Sequence, residues 1–532
     1  MRVHEAVARA LVDHRVDVVF GLVGDGNIHT AHSLVTEHGI RYVAAAHESS
    51  AVLMADGYAR LTGRLGVATV THGPGVTNTV TALTEAARAR TPLLLVTSDT
   101  PPEDRQHSQR VPMAEVVAPT GSAFVRLRTA ATAVEDVAIA VRRALLERRP
   151  VVLVMPVELQ REEIVDGSRV FLLPESAEVR PDDETLNRAA GVLAAARRPV
   201  VLAGRGAIHA RGSVLALARR LGAPVATTLL AKGLFAGEPE DLGVFGTLST
   251  PGASDRIAGA DVLVVLGAGL NRHTSYDEGL TSGKAIVQVD VDPEALGRWV
   301  PVDAPIVGDA ASAATRLTAM LDEAGTRATG YAAGIPTDVA EDPTLRPRDD
   351  GAVDTIDIRG ALRAIEGFLP ADRVVVTDAG RFLFTALRTF TVARPGSLVV
   401  PTAFGSIGLG MGEAIGAAVG APDRPTLLVC GDGGFMTAGV TEFATAVREG
   451  LDLVVVVVND GGYGAEHVLL RRLGVDPTIS LVAWPELAPL AEALGGHGVA
   501  VRNEAGLETA RKVIETRSRP VLLDVKVDPD TV

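Results

Sequence analysis

Two acidic clusters late in the chain have the spacing to hold a cation and a diphosphate. Gly431-Asp432-Gly433-Gly434 follows an apolar run, 425–430, and Asn459-Asp460-Gly461-Gly462-Tyr463 follows another, 453–458. The intervening residues 441–450 read as a helix. Strand, crossover helix and strand make a parallel pair, and in parallel sheets ligands gather beyond the carboxyl ends of the strands. Asp432 and Asp460 are therefore expected side by side. Two carboxylates suit magnesium, which takes one or two of them together with phosphate oxygens and water. The glycines let a phosphate approach the backbone. The plain alternative is a βα turn in which glycine supplies φ > 0 and aspartate caps the helix.

Two further clusters precede this one. His47-Glu48 opens a helix expected over 49–63 that contains Ala55-Asp56-Gly57-Tyr58-Ala59-Arg60, and Thr71-His72-Gly73-Pro74-Gly75-Val76-Thr77-Asn78 follows. A carboxylate in a first helical turn is favoured by the dipole, which explains an acid at 48 but not the string around it. The third cluster, Gly405-Ser406-Ile407-Gly408-Leu409-Gly410-Met411-Gly412, reads by itself as a tightly packed helix start.

Together these motifs resemble the thiamine diphosphate-dependent pyruvate decarboxylase/acetolactate synthase family, in that family's order. The Gly-Asp-Gly and Asn-Asn halves of its cofactor motif match Gly431-Asp432-Gly433 and Asn459-Asp460, with 25 residues (434–458) between them. The second Asn is Asp460 here, a departure that adds charge. The resemblance implies that Asp432, Asp460 and Gly462 hold Mg2+, and that Gly431, Gly433, Gly434 and Tyr463 help bind the cofactor. Glu48 is implied to protonate the aminopyrimidine ring from a desolvated pocket that raises its pKa. Ile407 would bend the cofactor into a V, and the Gly405 carbonyl would accept from the pyrimidine amine. The active site would lie between subunits of a homodimer or homotetramer.

In this family the cofactor turns a 2-oxo acid or related α-dicarbonyl into an acyl-anion equivalent, whose fate is protonation, ligation or oxidation. The residues that would choose the fate are mixed. Gly24-Asp25-Gly26-Asn27 is similar to the decarboxylases' Gly-Asp-x-Asn turn, whose Asp donates a proton; Asp25 as a helix cap is the alternative. Tyr463-x-x-Glu466 is similar to their Tyr-x-x-Glu, unless Glu466 is merely solvated. Their adjacent histidine pair is missing. Arg105-Gln106-His107-Ser108-Gln109-Arg110 stands in its place, with Gln109 where the synthase branch has glutamine, and His72 stands where synthases often have serine. The expectation is a carboligase, similar to acetolactate or acetoin synthases. The alternative is a non-oxidative 2-oxo acid decarboxylase releasing an aldehyde.

The elements that must position these residues read as α/β throughout, in three doubly wound parallel-sheet domains. These are a pyrimidine-binding domain over 1–175, a central domain over 185–325, a Gly/Ala/Thr/Pro-rich linker over 326–355 and a diphosphate-binding domain over 356–532. Hydrophobic residues make up 47% of the 532 and aromatic ones 4%, an Ala/Val/Leu-rich interior. A net charge of −14 without a long basic run excludes a nucleic-acid partner. The single cysteine, Cys430, allows no internal disulfide. No apolar run is long enough for a membrane span and the first residues lack a signal-peptide core, so a cytoplasmic protein is expected. In the central domain Gly204-x-Gly206 and Gly267-x-Gly269 follow strands, but His209 and Arg272 occupy the last glycine place of a dinucleotide fingerprint. FAD stays open.

Overall fold

The computed structural model describes residues 1–164, 178–336, 339, 341–348 and 354–531. The domain boundary expected near 175, and positions 337, 338, 340 and 349–353 of the expected linker, lie outside the described residues. By compactness the chain divides into two units. One comprises Met1–Pro174, Pro347–Ala386 and Val399–Val532, and the other Glu175–Arg346 and Leu387–Leu398.

The larger unit contains two six-stranded sheets. In the first, β1 (Val18–Gly21), β2 (Arg41–Ala44), β3 (Gly66–Thr69), β4 (Leu93–Asp99), β5 (Ala123–Arg126) and β6 (Pro150–Pro156) are ordered β2-β1-β3-β4-β6-β5. The smaller unit is built on β7 (Pro199–Ala203), β8 (Val225–Thr227), β9 (Asp241–Val244), β10 (Val262–Leu266), β11 (Ala285–Asp290) and β12 (Ala304–Val307), ordered β12-β11-β10-β7-β8-β9. The third sheet orders β13 (Val374–Thr377), β14 (Leu398–Val399), β15 (Thr426–Gly431), β16 (Leu453–Asn459), β17 (His497–Val501) and β18 (Val521–Lys526) as β14-β13-β15-β16-β18-β17. Every strand pair with a described register is parallel. The expected α/β class with three parallel sheets is what the chain adopts.

Parallel strands covered by helices on both faces need apolar side chains on both faces. Val454 to Val458 supply them, each at most 2% exposed, and each contributes about 1.5–3 kcal/mol before chain entropy is charged against it. The strand order reverses between β1 and β3 in the first sheet and between β13 and β15 in the third. Crevices open at the carboxyl ends of strands at such reversals, and most of the residues singled out above sit there.

The helix Glu48–Thr62 packs against the helix Gly410–Gly420 of the same unit. Glycine makes the contact possible. A Cβ on Gly416 would lie 1.8 Å from the Met54 carbonyl oxygen, and one on Gly57 would lie 2.2 Å from that of Glu413. The residues expected as linker begin as part of the smaller unit: Thr329 N donates to the Leu221 carbonyl at 2.9 Å, and Tyr331 Oη to that of Arg256 at 2.6 Å.

Candidate active site

Beyond β15 the chain turns directly into a helix at Asp432, passes through a π-helical turn, Phe435–Gly439, and continues as the helix Val440–Arg448. Wide turns of this kind inside helices recur at functional sites. Asp432 is buried, and its Oδ2 accepts from Gly462 N at 2.9 Å. Register Gly431↔Val458 sets Asp432 beside the end of β16. Burial, and then the charge of Asp460, push the Asp432 carboxyl up to about 7. Asp460 is raised too, by burial, against the pull of Arg381, whose Nε donates to Asp460 Oδ2 at 2.5 Å. Two buried carboxylates that oppose each other's ionisation leave an unmet demand for a cation, so the donor set fits a divalent ion. The glycines are needed by the turn itself. A Cβ on Gly433 would meet the Tyr463 ring at 2.9 Å, one on Gly434 would meet Asp378 Oδ2 at 2.9 Å, and one on Gly431 would meet Phe382 at 3.3 Å. Tyr463 is exposed at its edge, and its ring stands T-shaped to Trp484 at 6.3 Å. Glu466 lies exposed in the first turn of the helix Gly464–Arg472.

Asp378, which the sequence reading missed, follows β13 across the crevice. Its carboxylate accepts from Ala379 N at 2.7 Å and Gly408 N at 2.9 Å, while burial pushes its pKa up to about 6 against those bonds. It thereby clamps the turn carrying Gly405 (φ +83°), half-buried Ile407 and Gly408 (φ +81°). Glu85 anchors the same loop from the other side, accepting from Ala403 N and Phe404 N at 3.2 and 2.6 Å. Glu85 also pairs with Arg60, which pairs in turn with Asp56. That buried cluster ties the helix beginning at Glu48 to the Ile407 loop. It accounts for two residues of the Ala-Asp-Gly-Tyr-Ala-Arg string that the dipole argument left over.

Glu48 opens its helix as expected, half-buried, and accepts from Asn78 Nδ2 at 3.0 Å. The junction before it is fixed by Glu442, which accepts from Ala46 N and His47 N at 2.9 and 3.2 Å. The partners that the described residues give Glu48 belong to its own sheet, whereas those of Asp432 and Asp460 belong to the third.

At the reversal of the first sheet the structure gathers residues that are far apart in sequence. β3 and β4 are neighbours in register Thr69↔Val96, so the turn after one meets the loop after the other. His72 and His107 stand T-shaped with ring centroids 5.4 Å apart. His72 is 2% exposed; its Nδ1 lies 2.8 Å from Ser98 Oγ and its Nε2 is buried without a hydrogen-bond partner. Burial lowers its pKa, against the raising influence of Asp25, and so favours the neutral ring. Asp25 does not cap the helix Ile28–Thr36; Asn27 holds that position, and Asp25 Oδ1 accepts from Thr71 Oγ1 at 3.0 Å. Gln109 packs its carbonyl where a Cβ on Gly73 would be 2.2 Å away, and its N donates to His107 Nδ1 at 3.3 Å. Asp25, His72, His107 and Gln109 thus share one crevice, and adjacency in sequence would not have found the histidine pair.

In the smaller unit the two glycine turns face each other. A Cβ on Gly204 would meet the Gly267 carbonyl oxygen at 2.3 Å, and one on Gly206 would meet Gly267 Cα at 2.9 Å. Packing at the strand ends accounts for these glycines. No helix of the described residues is long and apolar enough to cross a membrane.

Models of the thiamine pyrophosphate enzymes match the chain three times. The N-terminal TPP binding domain covers residues 1–118, the central domain 186–317 and the C-terminal TPP binding domain 378–525. Among similar proteins, "Probable 2-ketoarginine decarboxylase AruI" of Pseudomonas aeruginosa is 32% identical over 95% of this chain and 89% of its own. The acetolactate synthase of Mycobacterium bovis is 28% identical over 99% and 88%. The large subunit of acetolactate synthase isozyme 1 of Escherichia coli is 26% identical over 99% and 94%. Three domain models in order and a relative matched along almost its whole length show that this chain belongs to the thiamine pyrophosphate enzymes, in the family that holds both decarboxylases and acetolactate synthases.

Proposed function

We propose that this enzyme removes carbon dioxide from a 2-oxo acid without oxidation and releases an aldehyde. The observation that carries the reading is the His72–His107 pair beside Asp25. The sequence favoured C–C bond formation because an adjacent histidine pair is missing from 105–110, and a pair assembled from two loops removes that reason.

When bound, thiamine diphosphate supplies the carbon nucleophile that takes up the 2-oxo acid and accepts electrons as carbon dioxide leaves. Asp432, Asp460 and the Gly462 carbonyl would hold magnesium, and Gly431, Gly433, Gly434 and Tyr463 would shape the turn around the diphosphate. Glu48 would hold and return a proton at the aminopyrimidine ring. The Gly405 carbonyl would accept from the ring's amine, and Ile407 would pack against the cofactor. Once carbon dioxide has left, the substrate carbon must be protonated. His72 passes a proton to that carbon from its imidazolium form, which burial makes the stronger acid, and takes the proton up again from solvent, with Asp25, held by Thr71, beside it. His107 and Gln109 fix the wall opposite, and Glu466 is a second acid. We place Glu48 and the Asp432–Asp460 pair of one copy in different sites, each completed by a second copy, in a homodimer or homotetramer. Its location is cytoplasmic.

The test is carbon dioxide and aldehyde release, dependent on thiamine diphosphate and magnesium, from a panel of 2-oxo acids. Pyruvate and 2-ketoarginine belong in it, the latter because a relative bears that name. No release from any member would sink the reading. The Gly73-Pro74-Gly75 turn, packed on Gln109, favours ligation as a second reading.

A further inference from the structure

The residue at 460 departs from the family's asparagine, and the structure pairs that extra charge with another. Arg381 Nε donates to Asp460 Oδ2 at 2.5 Å, and both side chains are nearly buried, at 14% and 6% exposed. The remaining guanidinium N–H groups are occupied elsewhere. Nη1 donates to the Thr531 carbonyl at 2.6 Å and Nη2 to that of Asp528 at 2.9 Å. A guanidinium held on three sides has no freedom to swing away. The neighbouring helix start leaves room for the pair, because a Cβ on Gly464 would lie 1.9 Å from Asp460 Oδ2 and 2.7 Å from Arg381 Nε. Oδ2 of Asp460 is therefore spent on Arg381, and the backbone of Gly462 also faces this carboxylate.

We propose that Arg381 is the built-in counter-charge of Asp460, a positioning residue that returns the metal end to the net charge an asparagine would give it. The inference rests on the cofactor-and-magnesium reading of Asp432 and Asp460. It makes a signed prediction, because a fixed charge a few ångströms from a divalent cation acts strongly in a buried site. Asp460→Asn leaves Arg381 as an uncompensated cation and weakens magnesium binding. Arg381→Gln leaves two uncompensated carboxylates and tightens it. The double variant restores the wild-type charge.

The experiment measures magnesium affinity by calorimetry with thiamine diphosphate present, and the rise in unfolding temperature between chelator and magnesium, for all four proteins. The expected order of affinity and of thermal rise is Arg381→Gln, then wild type with the double variant, then Asp460→Asn. The single variants should each differ from wild type by about tenfold in opposite directions. A purely structural role for Arg381 predicts that Arg381→Gln weakens magnesium binding, and that result, or any other order, overturns the pairing. No magnesium effect in the wild type would overturn the metal reading together with it.

Discussion

The first and third sheets repeat one strand order, β2-β1-β3-β4-β6-β5 against β14-β13-β15-β16-β18-β17. Their reversal crevices can therefore be compared position by position. After the first strand stand Gly24-Asp25-Gly26-Asn27 in one and Asp378-Ala379-Gly380-Arg381 in the other. After the third stand Thr71-His72-Gly73 and Gly431-Asp432-Gly433-Gly434. After the fourth stand the loop to His107 and Gln109, and Asn459-Asp460-Gly461-Gly462. The third-sheet crevice buries three carboxylates, two of them against each other, and so calls for a cation. The first-sheet crevice buries an imidazole whose Nε2 has no hydrogen-bond partner, keeps Asp25 exposed and pairs Asp99 with Arg126. On the proposed function, one scaffold thus holds a phosphate-and-metal end and a proton-handling end, separated by which titratable groups are desolvated. The central sheet, ordered β12-β11-β10-β7-β8-β9, fills its own reversal with the packed turns of Gly204 and Gly267.

Breaking the metal end should abolish binding. Asp432→Ala removes a magnesium ligand and the acceptor for Gly462 N, so thiamine diphosphate affinity should fall at least about a hundredfold. Calorimetric titration with magnesium present checks this, and near-normal affinity would remove Asp432 from the site. Glu48→Gln should instead keep the cofactor and lose about a hundredfold or more in kcat, because an amide cannot pass the proton. Exchange of the cofactor's C2 hydrogen, followed by NMR after acid quench, should slow in the variant. Unchanged exchange would release Glu48 from that role.

Breaking the proton end should leave affinity alone and change the product. In the His72→Gln/His107→Gln variant the aldehyde rate should fall about tenfold or more while magnesium and cofactor titrations match wild type. Burial lowers the His72 pKa below its ordinary 6.5. The donating form is the protonated ring, so wild-type aldehyde release should decline as pH rises through a midpoint below that value. The decline should be absent in His72→Gln; its persistence would move the titration to another group. The smallest effect is expected from Asp378→Asn. Its amide would turn a donor toward Gly408 N or Ala379 N, loosening the Ile407 turn and weakening cofactor binding about three- to tenfold. Binding equal to wild type would mean the turn holds without the clamp.

The central strands were legible from sequence because parallel, doubly covered strands are continuous apolar runs. β15 and β16 are examples, and the turns that end them carry the cofactor motif. β5, β9, β12, β14, β17 and β18 were not read. β5, β9, β12 and β17 are short and half-exposed in places, so their apolar signal is diluted; β14 has only two residues, and β18 is a buried apolar run that was passed over. The candidate site was legible where its residues are consecutive, as at 431–434 and 459–463. It was not legible where partners arrive from distant segments. His72 meets His107 because β3 and β4 are neighbours, Asp378 reaches Gly408 across a strand reversal, and Glu442 holds the backbone ahead of Glu48.

The central claim is that the first-sheet crevice delivers a proton to the carbon left by carbon dioxide. It is tested most directly by chromatography of the products formed from the best 2-oxo acid with an acceptor aldehyde in excess. The account predicts that the aldehyde derived from the substrate dominates in the wild type, and that the hydroxyketone share rises in His72→Gln/His107→Gln. Hydroxyketone or acetohydroxy acid as the main wild-type product would contradict it and establish ligation as the reaction.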